Sequence, residues 1–357
     1  MTALLFAAGL AGLVAGAELL VRGATKLALS FGVSPLVVGL TVVAFGTSAP
    51  ELAVSVGAAM SGQTELAVGN VVGSNIFNVL VILGLSALIT PLLVDMQLIR
   101  QEVPIMIGAS VLLLVLSLDG RIGLADAAML LVLQGAYTVF LVRQSRAQNL
   151  QAQETVYDDE LGHPDARAWD ARLPAQIGLI AVGLALLVGG SQALVSAAVT
   201  LAKSFGVSDL VIGLTIVAAG TSLPEVAASL MAALRGQRDI AVGNVVGSNL
   251  FNILGCLGLA GLVSGQGLPV PAAALDFDLW VMLAAALACL PVFISGRQVA
   301  RWEGGVFLAY YAAYVSWLVL TAQQHPTVSL LAAAMLGFVL PLTVITLFVV
   351  LLLPARR

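Results

Sequence analysis

Residues 30–78 read SFGVSPLVVGLTVVAFGTSAPELAVSVGAAMSGQTELAVGNVVGSNIFN, and residues 204–252 read SFGVSDLVIGLTIVAAGTSLPEVAASLMAALRGQRDIAVGNVVGSNLFN. The two stretches align without a gap at a fixed offset of 174, with 34 of 49 positions identical. Identity at that level requires an internal duplication. Each copy is a long apolar stretch interrupted at the same places by the same polar motifs, so the organisation of the whole chain is read outward from this pair.

The 357 residues are 60% hydrophobic and only 10% charged, with a mean hydropathy of +1.06. A soluble domain cannot hide that much apolar surface. A membrane-crossing helix needs roughly 20 mostly apolar residues, and cuts at polar and Gly/Pro breaks predict eleven of them. The first five are 2–29, 34–60, 65–89, 103–118 and 123–142, and the remaining six are 174–202, 208–234, 239–263, 277–295, 304–322 and 327–353. The opening segment lacks a positive n-region and is too long for a signal peptide, so it reads as an uncleaved first helix. Cys256 and Cys289 fall in apolar stretches and read as packing residues. His163 and His325 lie in loops without ligand partners at metal-binding spacing, and the net charge of −4 says little about partners for a chain surrounded by lipid.

With the N-terminus outside, thirteen of the fifteen Lys and Arg residues fall on the cytoplasmic side, and only Arg121 and Lys203 fall outside. That asymmetry is the positive-inside signature and supports the odd number of helices. Five helices separate the starts of the two copies, and an odd number of crossings reverses direction. The copies therefore cross the membrane in opposite senses, the inverted-repeat plan of secondary transporters. The expected fold is an all-α polytopic membrane protein: a first five-helix repeat (1–142), a cytoplasmic linker (143–173), a second, inverted five-helix repeat (174–322) and an additional C-terminal helix and tail (323–357). The linker carries six acids, Glu154, Asp158, Asp159, Glu160, Asp165 and Asp170, against four arginines, and without apolar periodicity it reads as solvated chain.

Two motif pairs carry chemistry. The first is Gly46-Thr47-Ser48-Ala49-Pro50-Glu51 and its copy Gly220-Thr221-Ser222-Leu223-Pro224-Glu225. Proline removes a backbone donor and clashes with the preceding turn, so each motif is expected to break its helix and free carbonyls toward a cavity. Carbonyls and hydroxyls beside a carboxylate make an oxygen-only site suited to hard cations such as Na+ and Ca2+, whereas soft metals call for Cys or His. A carboxylate at the middle of a membrane costs at least about 2 to 3 kcal/mol and is kept where it pairs with something. One buried glutamate could be a protonated packing residue, but two at symmetry-related helix breaks fit that role poorly.

The second pair is Gly69-Asn70-Val71-Val72-Gly73-Ser74-Asn75-Ile76-Phe77-Asn78 and Gly243-Asn244-Val245-Val246-Gly247-Ser248-Asn249-Leu250-Phe251-Asn252. The glycines have the small-xxx-small spacing that lets helix backbones approach. Packing does not explain three amides and a hydroxyl in so short an apolar run. Ser74 and Asn78 share a helix face, as do Ser248 and Asn252.

Both motif pairs resemble the two alpha repeats of the sodium/calcium exchanger family, within the cation/calcium exchanger superfamily, and the resemblance covers about residues 1–322. It implies two inverted five-helix halves, with Glu51 and Glu225 as Ca2+-binding carboxylates. Ser48, Ser74, Ser222 and Ser248 would supply hydroxyls, Thr47 and Thr221 backbone and side-chain oxygens, Ala44 and Ala218 backbone carbonyls, and Asn78 and Asn252 would stand at the centre. Some family members carry an aspartate at one central amide position. Here both are Asn, which lowers the site's charge and leaves the number of Na+ ions and K+ dependence open. The last helix, 327–353, exceeds the ten that the fold needs and is expected to be peripheral.

The expected activity is exchange of Ca2+ for Na+ by alternating access, with helices 1 and 6 as the moving pair by family resemblance, in a bacterial-type inner membrane with the N-terminus outside and the C-terminus cytoplasmic. The partners are the two ions and membrane lipid, with no cofactor, no nucleic acid and no obligatory protein partner. The alternative on the same scaffold is proton-coupled or K+-dependent exchange. A Ca2+ channel fits less well, because no line of acidic rings runs through the spans. An enzyme is not expected, because no HExxH or nucleophile–base arrangement lies in the spans.

Overall fold

The computed structural model describes residues 2–154, 170, 172–204 and 218–352, nearly all of them helical. In chain order the helices are α1 (Thr2–Phe31), α2 in two pieces (Pro35–Thr47 and Ala49–Met60), α3 (Thr64–Ile89), α4 (Leu98–Leu116) and α5 (Leu124–Glu154). They continue as α6 (Leu173–Ser204), α7 (Ala218–Gly220 and Leu223–Leu234), α8 (Arg238–Val263), α9 (Ala274–Ile294), α10 (Arg301–Ala322) and α11 (Thr327–Thr346). Among the described residues nine helices are long and apolar enough to cross a membrane, and the bent α2 makes a tenth. Leu223–Leu234 is the described part of the expected 208–234 span, and residues 205–217 lie outside the described residues. So do 155–169 and 171 of the linker, which include His163, Asp158, Asp159, Glu160 and Asp165.

Inversion is visible where the halves meet. A Cβ built on Gly9 would stand 2.8 Å from the Gly190 carbonyl oxygen, and one on Gly16 would stand 2.7 Å from the Gly183 carbonyl oxygen. As the number rises on α1 it falls on α6, so the two equivalent helices run antiparallel with backbones in contact. The loops agree. Leu92–Leu93 (β1), after α3, pairs antiparallel with Gln298–Val299 (β4), after α9, while Arg121–Ile122 (β2), after α4, pairs with Leu268–Pro269 (β3), after α8. An even number of helices separates the members of each pairing, so both members lie on one face. The sequence-equivalent loops after α3 and α8 lie on opposite faces.

The core is built from the repeat itself. In α3 and α8, 72% and 89% of the most apolar window is buried, against 6% in α10 and 0% in α11, so the duplicated helices form the centre and α11 the periphery. Gly243 and Gly247 admit α2 closely: added Cβ atoms would stand 2.9 Å from the Leu36 carbonyl oxygen and 2.6 Å from that of Leu40. The small-xxx-small reading of this pair is thus close backbone packing.

Two differences from the expected helix limits have a physical cause. α4 begins at Leu98 rather than 103, because the polar run Arg100-Gln101-Glu102 forms a widened π-helical turn. Buried Glu102 accepts hydrogen bonds from Tyr137 of α5 (2.6 Å), Gln97 (2.9 Å) and Gln101 (2.6 Å). The second half repeats the device: Asp278 of α9 accepts from the Tyr314 hydroxyl of α10 at 2.9 Å. α5 in turn continues as helix to Glu154, into the segment expected to be linker.

The α1–α6 seam yields a stability prediction. A Cβ on Gly183 would lie 2.7 Å from the Leu20 amide nitrogen and 2.8 Å from the Gly16 carbonyl oxygen, both backbone atoms that cannot swing away. Gly183→Ala should destabilise the purified protein by about 1 to 3 kcal/mol, read as a lower unfolding temperature in detergent. Gly108→Ala, where an added Cβ meets no described atom within 4 Å, should leave that temperature unchanged or raise it.

Candidate cation-binding site

The site is built on two helix breaks. Pro50 and Pro224 each stand one residue before a glutamate, and the residues ahead of the restarted helices leave helical geometry, Ser48 at φ −81°, ψ 8° and Ser222 at φ −87°, ψ 6°. The pieces of α2 are bent by 46°. Beyond each break the helix restarts, at Ala49 and at Leu223, with Glu51 and Glu225 in the first turn. Aligned peptide dipoles favour negative charge there. Glu51 is 0% exposed and Glu225 1%.

Each glutamate is held by the other repeat. Ser48 Oγ donates to Glu225 Oε1 at 2.9 Å, and Ser222 Oγ donates to Glu51 Oε1 at 2.9 Å. Because Ser48 and Ser222 are equivalent, as are Glu51 and Glu225, these are one contact made twice across a pseudo-two-fold axis. Ser222 Oγ also lies 3.3 Å from Ser74 Oγ. The helix restarts are braced from behind. Asn70 Nδ2 donates to the Glu51 carbonyl (3.2 Å) and to Ser55 Oγ (3.0 Å), and Asn244 Nδ2 donates to the Glu225 carbonyl (3.5 Å) and to Ser229 Oγ (2.9 Å).

Five buried or half-buried oxygens around these contacts have no hydrogen-bond partner among the described residues: Glu51 Oε2, Glu225 Oε2, Asn78 Oδ1, Thr221 Oγ1 and Ser248 Oγ. A buried acceptor left bare costs free energy comparable to a lost hydrogen bond. Thr47 Oγ1 reaches Asn244 Oδ1 at 3.2 Å. The Ala44 carbonyl is engaged within its helix, accepting from the Ser48 amide at 3.0 Å. Ala218 opens the equivalent Ala218–Gly220 turn, where the Gly220 carbonyl accepts from Ser191 Oγ of α6 at 2.6 Å. Among the described residues no group of three or more His, Cys, Asp or Glu side chains is placed to hold a metal. Two carboxylates and neutral oxygens are the available donors.

Asn78 and Asn252 sit where α3 and α8 widen into π-helical turns, Asn78–Leu83 and Phe251–Cys256. Such turns are frequent at functional sites. Their amide nitrogens do not meet each other: Asn78 Nδ2 donates to Asn249 Oδ1 at 2.9 Å and Asn252 Nδ2 to Asn75 Oδ1 at 3.1 Å. Asn70, Asn75, Asn244 and Asn249 were not singled out as site residues by sequence reasoning, although their recurrence in both motif copies is a signal that could have found them.

The family model described as sodium/calcium exchanger protein matches residues 1–143 and 175–320. This chain belongs to the sodium/calcium exchanger family. The matched region contains both motif copies and stops before α11. Over 313 residues, 86% of this exchanger and 95% of the relative, it is 41% identical to the proposed antiporter CaxA of Alkalimonas amylolytica. It is 35% identical over 325 residues to the inner membrane protein YrbG of Escherichia coli (strain K12), covering 91% of this chain and 98% of that one. Its fold matches the solved sodium-calcium exchanger NCX_Mj with a TM-score of 0.75 at 31% identity, covering 89% of this exchanger and 98% of that chain.

Proposed function

We propose that this exchanger is a secondary antiporter that binds Ca2+ or Na+ between Glu51 and Glu225 and carries them in opposite directions by alternating access. The crossed serine–glutamate contacts carry the reading. Each carboxylate spends one oxygen on a serine of the other repeat and keeps the second unpartnered. A cation between them would satisfy both free oxygens and neutralise both charges, and hydroxyls and amide oxygens would complete an all-oxygen shell of the kind hard cations take. Ser48, Ser74, Ser222, Ser248, Thr47, Thr221, Asn78 and Asn252 are the proposed side-chain donors, with the carbonyls of Ala44 and Ala218 beside them.

Charge counting sets the exchange. Ca2+ or two Na+ ions neutralise two carboxylates, and a third Na+ leaves a net positive site, so exchange of more than two Na+ per Ca2+ moves charge and responds to membrane potential. The α1–α6 seam, packed backbone to backbone through Gly9, Gly16, Gly183 and Gly190, supports these two helices moving together as a pair. In this reading residues 1–142 and 174–322 are the two halves framing the site, 143–173 joins them on the cytoplasmic side, and 323–357 adds a peripheral helix. The names of the relatives support ion exchange at an inner membrane.

Glu51→Gln and Glu225→Gln keep size and hydrogen bonding but each remove a charge. Each should reduce Ca2+ uptake by proteoliposomes to the level of protein-free vesicles while the unfolding temperature stays near the parent's. Near-parental uptake by either variant would sink the two-carboxylate site. The basic-residue asymmetry makes a separate prediction: a reporter fused after Arg357 should be active only in the cytoplasmic compartment. Activity on the outer side would reverse the proposed orientation.

A further inference from the structure

Asn75 and Asn249 stand outside the proposed donor set, yet they are 1% and 3% exposed and bonded to its central members. Asn249 Oδ1 accepts from Asn78 Nδ2, and Asn75 Oδ1 accepts from Asn252 Nδ2. Their other ends are held as well. Asn249 Nδ2 is directed at Met106 Sδ of α4 at 3.5 Å, and Asn75 Nδ2 at Met282 Sδ of α9 at 3.7 Å and at the Asn249 backbone carbonyl at 3.3 Å. Met106 and Met282 lie in symmetry-related helices, each four residues after the acid, Glu102 or Asp278, that a tyrosine holds in place.

A thioether sulfur accepts weakly and cannot donate. With Met106 at its outer end, the Asn249 amide turns its NH2 toward the sulfur and its oxygen toward Asn78. Asn78 must then answer with its own NH2, which turns its oxygen the other way. That oxygen has no partner among the described residues. In the other arm the Asn252 oxygen meets, among the described residues, only the Cys256 thiol at 3.6 Å, a weak donor. A flipped Asn78 or Asn252 would face two N–H groups to the site, and these repel a cation where a carbonyl oxygen attracts it.

We propose that Asn75 and Asn249 are positioning residues that, backed by Met282 and Met106, lock Asn252 and Asn78 with carbonyl oxygens facing the transported cation. This rests on the reading of Asn78 and Asn252 as site residues. The lock acts on the competent fraction of the site, so losing it weakens apparent affinity by that fraction and leaves turnover at saturation largely in place.

The test is Ca2+ uptake by proteoliposomes at varied Ca2+, separating KM from kcat, for Asn249→Leu, Asn249→Asp and Met106→Leu. Asn249→Leu should raise the Ca2+ KM roughly tenfold, the scale of one lost hydrogen bond's orientational preference, with kcat within about twofold of the parent. Asn249→Asp keeps an acceptor for Asn78 Nδ2 and should lie nearer the parent. Met106→Leu conserves volume, removes only the acceptor sulfur, and should raise KM by a few-fold. It carries the test if Asn249→Leu does not fold. A parental KM in Met106→Leu, or a folded Asn249→Leu whose loss is confined to kcat, overturns the proposal. Active Glu51→Gln would instead overturn the site itself, so the two failures are distinguishable.

Discussion

A carboxylate inside a bilayer is costly unless something positive or hydrogen-bonding meets it, and here two of them, Glu51 and Glu225, are buried together. Much of the fold follows from making that tolerable. Proline breaks restart helices so that each acid sits at an N-terminal turn, where the backbone dipole favours it. The inverted arrangement then brings the two restarts face to face, so that each serine reaches the opposite glutamate at 2.9 Å. Crossed hydrogen bonds hold one oxygen of each carboxylate.

Around this centre the symmetry persists inward and fades outward. The bracing amides Asn70 and Asn244, the amide pairs Asn78–Asn249 and Asn252–Asn75, and the acid–tyrosine ties Glu102–Tyr137 and Asp278–Tyr314 all occur twice. Among the described residues, the ion pairs made from α1 at Glu18 and Arg22 do not. Arg235 grips Glu18 through both its Nε and NH2 groups, at 2.9 and 2.6 Å, but the equivalent positions are Ser61 and Gln192. Arg22 bonds Asp170 at 2.7 Å, and its guanidinium holds that carboxyl below the usual carboxylate range.

The fold was legible because its signals are local or repetitive. An offset of 174 exposed the duplication, apolar length exposed the helices, and an odd count between copies exposed the inversion. Pro50 and Pro224 announced the breaks, and two acids in apolar helices announced the site. The partners of those acids were not legible, because a bond from Ser48 to Glu225 joins residues with no sequence relation except through the folded symmetry. The π-helical turns at Asn78 and Phe251 left no mark in composition. The start of α4 was misplaced for a related reason: Arg100, Gln101 and Glu102 look like loop until Tyr137 and Gln97 supply partners from elsewhere.

Exchange of Ca2+ for another cation between Glu51 and Glu225 requires a coupling ion on the return leg. The direct measurement is Ca2+ uptake into proteoliposomes of the purified chain loaded with Na+ and diluted into Na+-free medium, with pH equal on both sides, beside a parallel set driven by a pH difference without Na+. Uptake should be driven by the outward Na+ gradient and abolished when Na+ is equal on both sides. Uptake that ignores Na+ and follows only the proton gradient would contradict Na+-coupled exchange.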